Sequence, residues 1–176
     1  AAMREDREWL DGAVAQALLQ AYGIPTVQTI KAHDVEAAIA AANQIGYPVA
    51  LKVVSPQIIH KSDVGGVAVG LTSAEEIRTA AVKMRQQIAN LQPQAVVTGF
   101  TVQSMAQRSG ALELILGIAT DAVFGPVLLL GEGGTAVELR TNHAGAQPPL
   151  NANLANYLFA RTNLTPLLDG CRGRAP

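Results

Sequence analysis

Residues 46–67 read GYPVALKVVSPQIIHKSDVGGV. Val49 to Val54 is apolar except for Lys52, and breakers flank it: Gly46 and Pro48 before, Ser55 and Pro56 after. That length and composition predict a buried strand. A lysine inside such a run is costly to bury unless an anion compensates it. Alternation sets Lys52 opposite Leu51 and Val53. Two settings satisfy it: a cleft where a phosphate group answers the charge, or the solvated face of a sheet. From Ser55 to Gly66 the chain carries a proline, paired glycines and several polar groups, the composition of a loop. Consecutive glycines such as Gly65 and Gly66 let backbone N–H groups turn toward an anion. His60 in this loop reads either as a ligand-site residue or as an ordinary surface histidine.

On the N-terminal side, Leu10, Val14, Ala17, Leu18 and Ala21 fall at helical spacing, and Gly23 and Pro25 end that helix. Thr26 to Ile30 predicts a short strand. Asp34 is placed to cap an alanine-rich helix that stops at Gly46 and Pro48. On the C-terminal side, Val67 to Leu71 predicts a strand. Ser73 and Glu76 then form a capping-box pair. They open a helix whose stripe is Ile77, Ala80, Ala81, Met84, Ile88 and Leu91.

Beyond Pro93 four β-prone runs follow: Val96–Met105, Leu112–Ala119, Val127–Leu130 and Thr135–Leu139. Their short connections favour neighbouring antiparallel strands. Asn151 begins a last helix that ends near Arg161. The change of pattern near Pro93 divides the chain into lobes 1–95 and 96–176, with a small-ligand site expected between them. The tail from Gly170 to Pro176 reads as an interrupted chain.

Composition narrows the function classes. The chain has 176 residues, 49% hydrophobic and 15% charged, with a formal net charge of -1. It is an ordered globular sequence without the basic tracts that follow a nucleic-acid backbone. No apolar run is long enough to span a bilayer, and the start lacks the apolar core of a secretory signal. Cytoplasmic localisation is the expectation. A single cysteine, Cys171, leaves no disulfide framework or thiolate cage, and the three histidines lack metal-cage spacing.

Other polar groups stand in the second half. Gly131-Glu132-Gly133-Gly134-Thr135 is a glycine turn between two runs. It is neither a P-loop nor a dinucleotide fingerprint, because no Gly-Lys-Ser/Thr follows it and its glycine spacing is wrong. Glu113 and Glu138 are carboxylates in strand-like runs. They are suited to ribose hydroxyls or Mg²⁺ if they face a ligand, although strand carboxylates more often face water. Asp121 precedes the turn Phe124-Gly125-Pro126.

Taken in order, Tyr22-Gly23-Ile24-Pro25, Gly46 to Lys52, Ser55-Pro56 and His60 to Val67 resemble the ATP-grasp domain of NDP-forming (ADP-forming) acyl-CoA synthetases. The resemblance continues through Val102-Gln103, Glu113-Leu114, Asp121, Phe124-Gly125-Pro126 and Gly131 to Gly134, and covers about Trp9 to Leu150. It implies a mixed α/β (α+β) ATP-grasp fold of two lobes with a nucleotide cleft, truncated at the C-terminus. It also implies ATP or ADP with Mg²⁺ as cofactors, and a ligase that passes phosphate between acyl phosphate, a histidine and ADP. A CoA-binding domain elsewhere in the parent chain or on a partner subunit would complete the reaction.

By the same resemblance, Lys52 and Lys61 contact phosphates, and Gly65 and Gly66 shape the loop over them. Gln103, Ser104 and Met105 form the hinge against adenine, Glu113 contacts nucleotide, and His60 relays phosphate. Glu138 is the candidate metal ligand on the strand-carboxylate reading alone, since the family's metal-binding strands are expected beyond Pro176. Ser104 replaces a glutamate common in the family. Asn142, Gly145 and Ala146 stand where an Asp and a Phe-Arg pair are common. Val102 to Ala106, Gly131 to Gly134 and Pro148 to Asn151 are closer to bacterial protein lysine acetyltransferases of the Pat type. Those fuse a synthetase-like region to a GNAT domain, so the alternative reading is a regulatory domain of such an acetyltransferase. An unpaired sheet edge further predicts homodimers or aggregates.

Overall fold

The structure is a computed structural model that describes residues 12–106, 111–134, 143–162 and 164–168. These fall into two compact units, 1–106 and 107–176.

The first unit begins with helix α1 (Gly12–Ala21), followed by strand β1 (Thr29–Ala32). The strand starts later than its sequence pattern indicates. The Gln16 side-chain amide donates to Thr26 Oγ1 (3.0 Å) and to the Val27 carbonyl (2.7 Å), which ties that stretch to α1 instead. Helix α2 (Val35–Ile45) is capped as expected: the Ala37 N–H donates to Asp34 Oδ1 at 2.7 Å. Strand β2 (Val49–Val54) then leads into the loop, which contains one short 3-10 turn, Ser62–Val64. Strand β3 (Val67–Leu71) and helix α3 (Ala74–Leu91) follow.

The cap of α3 differs from a capping box in one bond. Ser73 Oγ accepts from the Glu76 N–H (3.2 Å), but the Glu76 carboxylate takes the Thr72 N–H (2.6 Å) and hydroxyl (3.1 Å) rather than the Ser73 N–H. Of the α3 stripe, Ile77, Ala81, Met84 and Ile88 are buried, whereas Leu91 is 62% exposed.

Strand β4 (Gly99–Ser104) lies between β1 and β2, giving the antiparallel order β1-β4-β2-β3. The run after Pro93, expected among the strands of the second half, is therefore a central strand of the first sheet. Its Phe100 and Val102 are fully buried with Val49, Leu51 and Val53 of β2. That face packs against Ala38, Ile39 and Ala42 of α2 and the buried stripe of α3. Truncating Phe100 to alanine in such a core costs about 3–5 kcal/mol.

The second unit holds a sheet in the order β5-β6-β7: β5 (Leu114–Asp121), β6 (Gly125–Glu132) and β7 (His143–Ala146). Asp121 makes the β5–β6 turn, its Oδ1 accepting from the N–H groups of Val123 (2.8 Å) and Phe124 (2.9 Å). Helix α4 (Ala152–Ala160) is capped by Asn151, whose Oδ1 accepts from the Leu154 N–H at 2.9 Å. A short helix α5 (Thr165–Leu168) closes the unit. Leu130, Ala144, Leu158 and Leu164 form its small core. Gly131 and Glu132 belong to β6 rather than to a turn, so the glycine turn begins at Gly133. The run Thr135–Leu139 lies outside the described residues, whereas β7, which its small residues did not signal, pairs with β6.

Candidate anion-binding site on the first sheet

Lys52 occupies the middle of β2, opposite Thr101 of β4 and Val67 of β3. Its neighbours Leu51 and Val53 face the helices, so Lys52 points from the other face of the sheet. It is half-buried, and its amine has no ion-pair or hydrogen-bond partner among the described residues. A half-buried cation in that state is a favourable place for an anion to bind.

The glycine loop is fastened directly beside it. The Gly66 carbonyl accepts the Val53 N–H at 2.9 Å, and the Gly66 N–H donates to the Lys61 carbonyl at 2.7 Å. Gly65 adopts φ +66°, the left-handed region open to glycine, and its N–H donates to the Ser62 carbonyl at 3.1 Å. A Cβ on Gly66 would come within 2.6 Å of Val53 Cγ2 and 3.0 Å of the Lys61 carbonyl, so a larger residue there must displace one of them. Ile58 and Val64 are 3% and 5% exposed and anchor the loop in the core. Gln57 braces its entry, its Oε1 accepting from the Val96 N–H (3.2 Å) and from Ser55 Oγ (3.1 Å). Between the two anchors His60 is exposed and Lys61 half-buried. The structure thus sets Gly66 beside Lys52 in the backbone ladder, with Lys61, Gly65 and His60 on the same loop. The contacts of the two glycines are with Val53 and Gln87, toward the helices, whereas Lys52 points from the other face of the sheet.

The hinge residues lie at the opposite end of β2, where Ser104 pairs with Val49 and Gln103 with Ala50. Gln103 Nε2 donates to Thr29 Oγ1 (3.0 Å), and the Ser104 N–H donates to the Gln28 carbonyl (3.0 Å). Both groups are engaged within the protein. Met105 follows directly and is half-buried.

Glu113 belongs to the second unit. It is exposed, immediately precedes β5, and its carbonyl accepts the Gly133 N–H at 2.7 Å. A Cβ on Gly133 would come within 2.7 Å of Glu113 Cγ, so the glycine turn and Glu113 are packed together. Glu138 lies outside the described residues. Among the described residues no three His, Cys, Asp or Glu side chains gather as a metal cage. The described groups therefore fit a phosphate better than Mg²⁺.

A shallow groove of about 460 Å³ between β3 and α3 includes Gly65, Lys83 and Gln87 but neither Lys52 nor His60. It shares Gly65 with the glycine loop and lies on the helix side of the sheet. No helix is long and apolar enough to cross a membrane among the described residues. Sequence reasoning missed Thr101, Gln57 and Gln87, the last packed against Gly65. Their roles depend on strand register and loop path, which no local pattern signals.

A sequence profile described as an ATP-grasp domain matches residues 1–176. Over 162 residues the chain is 36% identical to the ADP-forming acetate–CoA ligase I subunit beta of Pyrococcus furiosus, matching 92% of this chain and 69% of that subunit. It is also 36% identical over 173 residues to the ADP-forming 4-hydroxybutyrate–CoA ligase of Nitrosopumilus maritimus, matching 98% of this chain but 24% of that protein. The chain thus spans about a quarter of the longer relative. The fold superimposes with a TM-score of 0.89 and 37% identity on the dinucleotide-forming acetyl-coenzyme A synthetase 1 of Ca. Korarchaeum cryptofilum, over 99% of this chain and 76% of that one. That structure is a complex with coenzyme A and Ca-AMPCP.

Proposed function

We propose that this chain, which belongs to the ATP-grasp domain family and is homologous to ADP-forming acyl-CoA synthetases, is the part of such an enzyme that binds the nucleotide and carries the phosphoryl relay. The observation that carries the reading is Lys52: a half-buried, unpartnered cation one strand position from the close-packed Gly66 loop.

Nucleotide phosphates lie against Lys52 and Lys61, under the loop shaped by Gly65 and Gly66. The base lies toward Met105, because the Ser104 amide is already spent on Gln28. Mg²⁺, when bound with the nucleotide, neutralises phosphate charge. An imidazole nitrogen of His60 takes the phosphoryl group of an acyl phosphate, the N–P bond forming as the acyl O–P bond breaks and the carboxylate leaves. The N–P bond then breaks as a terminal oxygen of ADP bonds to phosphorus, giving ATP and free histidine. Such transfer needs chiefly positioning and charge neutralisation. The lysines supply the charge, because the Gly65 and Gly66 N–H groups are already spent on the Ser62 and Lys61 carbonyls. A CoA-binding part, elsewhere in the parent protein or on a partner subunit, supplies the acyl chemistry. The relatives described above are ligases and a synthetase, which supports the enzyme reading over a regulatory domain of a protein acetyltransferase.

Calorimetric titration of the chain with ADP and ATP, alongside Lys52→Ala, tests this. Saturable binding that the substitution abolishes is expected; equal binding by both proteins refutes the site.

A further inference from the structure

Strand β3 is an edge of the first sheet, with β2 on one side and no strand on the other among the described residues. The ladder fixes which of its backbone groups are free. The Gly66 carbonyl accepts the Val53 N–H, and Ala68 stands opposite Leu51, so Ala68 turns its N–H and carbonyl toward β2. By alternation Val67 and Val69 turn theirs outward. Val69 is 64% exposed, and Gly70 follows it at φ +71°, where the pairing with β2 shifts register. Two backbone positions are thus open to a further strand.

The groove of about 460 Å³ runs along this edge. Helix α3 starts just after Leu71, and its Gln87 reaches Gly65, so helix and strand run in opposite directions. Glu75, Thr79, Lys83 and Gln87, spaced by four, form the ridge on the helix side of the groove. Its floor is Ala68, Leu71 and Met84. The two ends of the ridge differ in charge. The Lys83 ammonium has no partner among the described residues. Glu75 is 3.7 Å from Arg78, whose guanidinium lies closer to Glu36, at 3.2 Å. Glu76, the other acid of the groove, is held by Thr72. Glu75 and Lys83 stand eight residues apart, roughly 12 Å along the helix axis. Four residues of an extended strand cover roughly 13 Å, and the first, third and fifth side chains share one face.

We propose that this edge takes an extended segment of another protein chain as an added strand. The segment runs antiparallel to β3, the more stable pairing, and its backbone bonds to Val67 and Val69. In that direction it passes Glu75 before Lys83. Its chemistry is therefore a basic residue, an apolar residue two positions on, and an acidic residue two positions further. The basic and acidic groups meet Glu75 and Lys83, and the apolar side chain lies over the floor between them. The surface is on the helix side of the sheet and does not include Lys52, so it is independent of the nucleotide reading.

The probe is a fluorescein-labelled peptide, Ser-Thr-Lys-Thr-Val-Thr-Asp-Thr-Ser, titrated with the whole chain and followed by fluorescence anisotropy. Saturable binding is expected. Lys83→Glu, at an exposed helix position, should weaken it by about fivefold and leave thermal unfolding unchanged. A second peptide with lysine in place of the aspartate should recover that loss on Lys83→Glu and bind the parent less well. On the parent chain, methylating one set of alternate peptide nitrogens should abolish binding and methylating the other set should not, because an added strand bonds along one edge. No saturable binding, equal affinity of both peptides for both proteins, or equal loss from the two methylated sets overturns the proposal. Self-association of the chain that Val69→Lys abolishes would make a second copy the occupant, and overturns it too.

Discussion

Gly66 and Val53 are locked together: the Val53 N–H donates to the Gly66 carbonyl at 2.9 Å, and a Cβ on Gly66 would sit 2.6 Å from Val53 Cγ2. The contact joins the glycine loop to the strand that carries Lys52. Gly66→Ala must push that strand or the Lys61 backbone aside, an overpacking cost of about 1–3 kcal/mol. We expect a lower unfolding midpoint and at least tenfold weaker ADP binding, roughly one RT ln 10 step or more. Gly65→Ala meets a flexible Gln87 side chain instead and is limited by its positive φ, a cost of about 1–2 kcal/mol. A Gly66→Ala protein as stable as its parent would overturn the packing account.

Lys52 should separate stability from binding. Replacing a half-buried, unpartnered ammonium with an apolar side chain of similar length removes a desolvation cost. Lys52→Met is expected to keep the parent's stability or exceed it by about 1 kcal/mol, while ADP binding is lost. Urea unfolding and calorimetry on one preparation read both. A clearly destabilised Lys52→Met would mean that the amine has a structural role within the sheet.

The β5–β6 turn gives a pH signature. The Phe124 and Val123 N–H groups hold the Asp121 carboxyl below the usual carboxylate range. A carboxylate with a lowered folded-state pKa contributes stability that is present above its unfolded value and disappears as pH falls through the folded value. Asp121→Asn should therefore be less stable than the parent at neutral pH, and the difference should vanish in strong acid. Thermal melts of the pair from neutral to acidic pH check this. A difference that persists or grows in acid contradicts the assignment.

Among the described residues strand β5 is an edge of its sheet, and it carries no charge from Leu114 to Thr120. Leu116 and Ile118 are 67% and 75% exposed and share one face. Long apolar edges without charge, proline or bulge invite pairing with another chain. The chain should associate with rising concentration in light scattering, and Leu116→Lys should suppress that with little change in stability, within about 0.5 kcal/mol. Association that Leu116→Lys leaves unchanged would place the contact elsewhere.

The parts of the fold written in short-range pattern were legible. Asp34, Ser73 and Asn151 cap the helices their positions indicate, and Val49–Val54 is the buried strand its composition describes. Long-range pairing was not. Val96–Met105 reads as one more β-prone run, and nothing local tells which sheet it joins; the fully buried Phe100 and Val102 place it in the first. The His143–Ala146 strand escaped because His-Ala-Gly-Ala lacks the branched side chains that mark strands. At the site, Lys52 and Gly65-Gly66 announced themselves, a lone charge in an apolar run and a doubled glycine. That Thr101 lies opposite Lys52 was not legible, since it is created by register between strands.

The two buried feet of the loop set a limit on His60. Ile58 is two residues from it, and a chain extends at most about 3.6 Å per residue, so the His60 Cα stays within roughly 7 Å of a fixed point in the core. The imidazole is a moored receiver rather than a ferry. In the proposed relay, any donor that exchanges phosphate with it must make the long part of the journey.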